Sequence, residues 1–232
     1  MNLLGPDDTG AILLSLRVAA VAVVVGLPVS LGIAMLLARG RFPGRPVLDA
    51  LTQLPLVLPP VATGFALLVL FGREGVLGRP LSRLGIVLAF HWTGAALAAA
   101  VMALPLMIRP IRQAIEAIDP QYEEAARGLG AGPVACFVRI TAPLAAPGFV
   151  AGAILGFARA LGEFGATVTF AAAIPGETLT LPTDIYEATQ TPGDERHALL
   201  LCAIAAVIAL AAVLASEPIV LRLRQGVRRT GI

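Results

Sequence analysis

The sequence contains no lysine, so all 17 of its basic residues are arginine. This absence excludes a P-loop, whose lysine contacts the phosphates of a nucleotide, and a Schiff-base lysine. Cysteine and histidine are also scarce, with Cys136, Cys202, His91 and His197 the full set, and their positions lack metal-ligand spacing. We therefore expect no metal site, no structural disulfide and no cofactor, and no catalytic residues for ATP hydrolysis.

Charge is low and hydrophobicity is high throughout the chain. Charged residues make up 14% of the 232 residues and hydrophobic residues 57%, and the mean hydropathy is +0.86. These values are typical of membrane proteins. The net charge of +2 does not indicate nucleic-acid binding, because the arginines flank apolar runs instead of forming one patch.

Five apolar stretches are long enough to cross a bilayer core, which takes about 20 residues. They cover residues 11–37, 48–71, 86–108, 148–172 and 198–220. We predict an all-α, polytopic transmembrane helix bundle that forms a single domain over residues 1–232. Six spans stay an alternative, because the three arginines of the 72–85 loop would suit the cytoplasmic side if one span were missed.

The arginines also predict the orientation, since short cytoplasmic loops are enriched in basic residues. Alternate loops carry most of them, and the other side carries most of the acidic residues. This pattern predicts the N-terminus outside and the C-terminus in the cytoplasm. The basic residues of the cytoplasmic side are Arg39, Arg41, Arg45, Arg109, Arg112, Arg127, Arg139, Arg222, Arg224, Arg228 and Arg229.

Two connections are more than plain loops. Residues 109–147 form a long cytoplasmic segment that is predicted to be helical over 110–129. Residues 175–197, on the outer side, contain the half-apolar run TLTLPTDIYEATQ, which is too short and polar to span and is predicted to form a re-entrant or surface helix.

The segment 124–143, EAARGLGAGPVACFVRITAP, carries the most informative motif. A helix bearing small alanines can enter a groove on a partner closely, and a glycine permits the sharp turn that follows. The segment resembles the cytoplasmic signature of ABC-importer permeases, in which an Ile-x-Leu-Pro ending follows the glycine. The matching residues are Glu124, Ala125, Ala126, Gly130, Ile140 and Pro143, and Ala142 replaces the leucine.

This resemblance implies that the loop couples the chain to a cytoplasmic ATP-binding subunit. It also implies an extracytoplasmic binding protein that delivers the substrate. Five spans are few for enclosing a path, so we expect a homodimer in contact with membrane lipid. The alternative for residues 109–147 is an amphipathic loop helix that lies on the lipid headgroups and contacts no partner.

Four further sequence segments indicate which of the ABC-importer permeases the chain resembles. LPLVLPPVATGFALL, ALPLMIRPIRQAIEAIDP, GAILGFARALGEFGAT and IPGETLTLPTDIY are similar to molybdate permeases over nearly the whole length. Sulfate permeases share the ARALGEFGA portion. The resemblance therefore implies molybdate as the substrate, with tungstate and sulfate as alternatives.

Two sets of residues are candidates for the pathway or its gate. Arg159 and Glu163 lie four residues apart inside an apolar stretch, where charges are costly and are often functional. Pro59 and Pro60, followed by Thr63, predict a break in the second span that would expose backbone carbonyls. The alternative for the first set is a structural ion pair, and for the second a packed kink.

Two other classes of membrane protein fit the sequence less well. An intramembrane enzyme would need a histidine pair, a Ser/Lys dyad or a carboxylate pair within a span, and none occurs. An autonomous channel or secondary transporter would need coupling-ion carboxylates or inverted repeats, and Glu163 is the sole acidic residue deep in a predicted span.

Overall fold

The structure, a computed structural model, describes residues 6–229, with side chains described for residues 7–212 and Leu214. This range contains eleven α-helices and one π-helical turn, and it contains no strand. In chain order these are α1 (Pro6–Arg39), α2 (Arg45–Val57), α3 (Pro60–Phe71), α4 (Gly78–Arg83), α5 (Trp92–Glu116), α6 (Pro120–Gly128), α7 (Pro133–Cys136), the π-helical turn Phe137–Thr141, α8 (Ala142–Leu161), α9 (Gly165–Ala171), α10 (Leu181–Gln190) and α11 (Glu195–Arg229).

Four helical segments are long and apolar enough to cross a membrane: Asp7–Arg39, Trp92–Glu116, Pro133–Leu161 and Glu195–Ala212. Helices α2 and α3 qualify only together, as a pair bent by 113°. Counted as one span, the pair brings residues 6–229 to five candidate spans, and the described helices contain no sixth. The predicted all-α polytopic fold is confirmed.

The bounds of two spans differ from the prediction. The third, predicted at 86–108, is α5 and begins only at Trp92, because Phe90 adopts a positive φ of 61° and ends the preceding turn. The fourth, predicted at 148–172, is a continuous helix over Pro133–Leu161 and is followed by a break before α9. Hydropathy alone does not register such breaks.

The predicted loop segments also gain definite bounds. The stretch 110–129 is two helices, because α5 continues to Glu116 and α6 begins at Pro120. Asp119 separates them, and its side chain accepts a hydrogen bond from the Gln121 backbone N–H at 2.9 Å. The short helix expected between the last two spans is present as α10.

Helix α5 occupies the centre of the bundle because its side chains are small where other helices cross it. Ala95, Ala99 and Ala103 recur every four residues and are fully buried. They pack with Ala19 and Ala22 of α1 in one apolar cluster. Residues four apart share a helix face, so this alanine row allows the two backbones to approach closely.

Helix α8 approaches α5 from another side through a glycine row. Gly148, Gly152 and Gly156 are also spaced by four, and all three are buried. A Cβ added at Gly148 would lie 2.6 Å from the carbonyl oxygen of Pro110, and one at Gly152 would lie 3.0 Å from that of Met107. Gly148 and Gly152 are therefore required by direct backbone contact, and a Cβ at Gly156 would meet the Met107 side chain.

We predict that Gly148→Val destabilises the bundle by about 1–3 kcal/mol, the usual cost of overpacking. The new side chain would meet the Ala114 side chain and the Pro110 carbonyl, and a helix backbone cannot move aside locally. Unfolding of the purified protein in detergent measures the effect. Gly32→Val is the control, because a Cβ at Gly32 meets nothing within 4 Å. Equal stability of the two variants would contradict close α5–α8 packing.

Candidate functional site

The loop with the predicted coupling motif lies at the end of the bundle where α1 and α5 end and α8 begins, which we call the Arg-rich end. Helix α6 carries Glu124, Ala125 and Ala126. After it, Gly130 adopts a φ of +86°, and the Ala131 N–H donates to the Ala126 carbonyl at 2.9 Å. The positive φ expected at this glycine is confirmed, so the turn requires a residue without a Cβ.

Three of the six motif residues, Ala126, Gly130 and Ile140, line one surface groove of about 400 Å³. Arg139 lines it as well, together with Leu129, whose side chain is 90% exposed. The other three motif residues do not line the groove: Glu124 and Ala125 are exposed on α6, and Pro143 is exposed in the first turn of α8.

The residue that fastens α6 to the bundle is Glu123, which was not among the predicted site residues. It is only 7% exposed, and its Oε1 accepts hydrogen bonds from Thr141 Oγ1 at 2.9 Å and from Arg39 Nη2 at 3.3 Å. Arg39 Nη2 also donates to the Ile118 carbonyl at 3.1 Å. Glu123 thus links α6 to the end of α1 and to the π-helical turn that precedes α8.

The only sequence signal for Glu123 is its i, i+4 spacing from Arg127, whose Nη2 lies 3.6 Å from Glu123 Oε2. Its partner Arg39 is 84 positions away in sequence. Which of the two adjacent glutamates faces the bundle therefore depends on tertiary contacts that the local sequence does not contain.

The predicted pathway residues lie on two helix breaks. Pro59 and Pro60, both exposed, form the break between α2 and α3, while Thr63 is buried in α3. Arg159 lies in the last turn of α8, and Glu163 lies in the break between α8 and α9. The break at Pro59–Pro60 was predicted from the two prolines and is present, whereas the break between α8 and α9 was not predicted.

The predicted Arg159–Glu163 pair is present. Arg159 Nη1 lies 2.6 Å from Glu163 Oε2, although this oxygen makes no aligned hydrogen bond within the described residues. The other oxygen, Oε1, accepts the Ala166 backbone N–H at 2.8 Å and so caps the start of α9. The Glu163 side chain is 1% exposed and that of Arg159 is 24% exposed, so the carboxylate depends on the guanidinium for charge compensation.

The two breaks touch each other. A Cβ added at Gly165, the first residue of α9, would lie 2.8 Å from Pro60 Cβ. One added at Gly64 would lie 2.6 Å from the Ala166 carbonyl oxygen. The five predicted pathway candidates are therefore parts of one structural unit, in which α3 packs on α9 beside the Arg159–Glu163 pair.

A charged cavity of about 550 Å³ lies between α2 and α5 at the Arg-rich end. Arg112 pairs there with Asp49 at 3.0 Å and with Glu116 at 2.8 Å, which joins the two helices. Arg109 also lines the cavity and is exposed, with no ion pair among the described side chains. From the sequence, these arginines were attributed to membrane topology alone.

Discontinuous spans around buried charge, together with an exposed loop helix on the basic side, define a transporter permease. A family model described as "Binding-protein-dependent transport system inner membrane component" matches residues 26–227. The chain belongs to this family.

The chain is similar to curated members over most of its length. It is 52% identical to the molybdenum transport system permease protein ModB of Escherichia coli strain K12 over 208 residues, which is 89% of this chain and 91% of that protein. ModB of Haemophilus influenzae is 46% identical over 211 residues, 90% of this chain and 92% of its own. The sulfate permease protein CysT of Salmonella typhimurium is 38% identical over 75% of this chain and 62% of its own.

Solved ABC transporters share the fold. A bacterial ABC transporter that imports the acidic polysaccharide alginate has a TM-score of 0.74 at 19% identity, over 94% of this chain and 80% of its own. The MetNI methionine transporter in inward-facing conformations has a TM-score of 0.70 at 17% identity, over 92% of this chain and 94% of its own. These similarities confirm the architecture of an ABC transmembrane domain.

We predict that Arg159→Ala costs about 3–5 kcal/mol of stability, because it leaves the buried Glu163 carboxylate without its cation. Adding Glu163→Gln to this variant removes the charge and keeps an acceptor for the Ala166 N–H, so the double variant should recover most of the loss. Unfolding in detergent and the level of protein in membranes measure both effects.

Arg79→Ala is the control for loss of an arginine, since the side chains of both Arg79 and its partner Glu74 are exposed. If Arg159→Ala is as stable as Arg79→Ala, the Glu163 carboxylate does not depend on Arg159.

Proposed function

We propose that this chain is the membrane-spanning permease subunit of an ATP-driven importer and that it translocates molybdate across the inner membrane. The observation that carries the importer assignment is the exposed groove built from the coupling motif, with α6 fastened beside it by Glu123. Molybdate is supported by relatives named as molybdenum permease proteins, at 44–52% identity over about nine-tenths of the chain.

In this proposal ATP hydrolysis occurs on a separate cytoplasmic subunit, and the permease is not catalytic. The absence of lysine supports this division, because the chain has no P-loop lysine. The ATP-binding subunit docks on Leu129 and the groove beside Gly130. A displacement of α6 then reaches both α1 and α8, because Glu123 contacts Arg39 and Thr141.

The assembly we propose is a homodimer with the path between two copies. An extracytoplasmic oxyanion-binding protein docks at the end where α1 begins, and two ATP-binding subunits dock on the loops within 109–147. The distribution of arginines supports this orientation, with the N-terminus outside and the C-terminus in the cytoplasm. Membrane lipid covers the remaining apolar faces, and nucleic acid is not a partner.

Within this assembly, the touching breaks at Pro59–Pro60 and Glu163–Gly165 form the gate region. Helix breaks are tolerated at membrane depth where they are buried in protein or line a water-filled cavity. Towards the Arg-rich end, the exposed Arg109 offers positive charge to an anion that has passed the gate. Exposed charge attracts an anion only weakly, which suits a path that must release its substrate.

The decisive experiment is uptake of labelled molybdate by proteoliposomes that contain this chain, the ATP-binding subunit and the binding protein. We expect uptake that requires ATP and all three proteins, and no ATP turnover by the chain alone. Excess tungstate should compete more strongly than sulfate. Uptake by the chain alone would indicate an autonomous channel, and stronger competition by sulfate would indicate a sulfate permease.

We also predict that Gly130→Val abolishes co-purification of the ATP-binding subunit while membrane insertion persists, because a β-branched residue does not tolerate a φ of +86°. Gly128→Val is the matched control. Gly128 lies two residues earlier in α6, outside the residues that line the groove, also has open space around its Cβ, and has no positive φ. Normal co-purification and uptake by Gly130→Val would show that the turn does not form the docking surface.

A further inference from the structure

Three helices meet at a buried cluster of ionisable side chains at the end of the bundle opposite the Arg-rich end. Asp8 lies in the first turn of α1, Asp184 in α10 and His197 in the first turn of α11. Asp8 is 5% exposed, Asp184 is 9% exposed, and the His197 side chain is 28% exposed. One ligand atom from each residue lies within 4.8 Å of the other two.

The geometry of this cluster is close to that of a metal site. His197 Nε2 lies 3.1 Å from Asp8 Oδ1. In a tetrahedral zinc site with bonds of about 2.0–2.1 Å, two ligand atoms are separated by about 3.3 Å. His197 Nε2 and Asp8 Oδ1 are therefore close to this separation, and the ligand atom of Asp184 lies within 4.8 Å of the other two, which exceeds 3.3 Å by at most about 1.5 Å.

A second observation is a buried carboxylate oxygen without a hydrogen-bond donor. Asp184 Oδ2 is buried and has no hydrogen-bond partner among the described residues. Burial raises the pKa of Asp184, repulsion from the Asp8 carboxylate raises that pKa further, and His197 lowers it. A buried carboxylate oxygen without a donor is costly unless a proton or a cation compensates it.

We propose that Asp8, Asp184 and His197 bind a divalent cation of the zinc class. An imidazole nitrogen with two carboxylates suits zinc and its transition-metal neighbours better than magnesium or calcium, which favour all-oxygen sites. Three protein ligands leave the fourth position to water. The cation fastens α10 to the first turns of α1 and α11, far from the coupling groove and independent of the transported substrate.

Spacing along the chain does not predict this site, because its ligands come from positions 8, 184 and 197. The local sequence shows only a lone histidine near the start of the last span. The three residues form a site only after α10 packs between the first and last spans, and contacts of α10 with both α1 and α11 are present.

The test is zinc titration of the full-length chain, purified in detergent and stripped with a chelator. We expect saturable binding of one zinc ion per chain by calorimetry and a higher Tm with zinc, since a ligand of the folded state stabilises it. Cobalt should give the visible absorption of a four-coordinate site. Asp184→Asn, which is nearly isosteric, and His197→Ala should each weaken zinc affinity by at least about tenfold.

His91→Ala is the matched control, because His91 is the sole other histidine and also contacts a carboxylate, that of Glu177, at 3.2 Å. This variant should bind zinc like the wild type. Circular dichroism verifies that each variant is folded, and Asp184→Asn decides the test if His197→Ala does not fold. Absence of saturable binding by the wild type, or unchanged affinity in Asp184→Asn, would overturn the proposal.

Discussion

Direct backbone contact of α5 with its neighbours is the constraint on which the rest of the structure depends. Lipid tails are as apolar as the helix surfaces, so the hydrophobic effect does not hold the spans together in a membrane. Close packing between helices replaces it, and here it depends on an alanine row on α5 and a glycine row on α8. With α1, α5 and α8 fixed in this way, the broken helices and the loop helix have a rigid support.

Hydrogen bonds and ion pairs position the short helices α6 and α9. Glu123 holds α6 through Arg39 and Thr141, and Glu163 holds the start of α9 while pairing with Arg159. In both places a buried carboxylate links segments that are separated by a break or a turn. Each glutamate is compensated by an arginine, which keeps its guanidinium charged under all ordinary conditions.

Most of the span pattern follows from the sequence, because long apolar stretches have few alternatives to membrane helices. The helix α6 and the turn at Gly130 are also predictable, since Gly130 and the small residues of α6 act locally. The start of α5 and the end of α8 were misplaced because apolar residues extend through Phe90 and resume after the 162–164 break. Glu123 and the cluster around Asp184 were missed because their partners are distant in sequence.

The π-helical turn at Phe137–Thr141 divides the long helix Pro133–Leu161 into two parts with different phase. A π-helical turn contains one residue more than a regular turn. This extra residue rotates the part of the helix before it by about 100° relative to the part after it. The exposed side chains of Val134 and Val138 are thereby set independently of the glycine row that meets α5. Substitutions can therefore alter this exposed surface without disturbing the register of the membrane core.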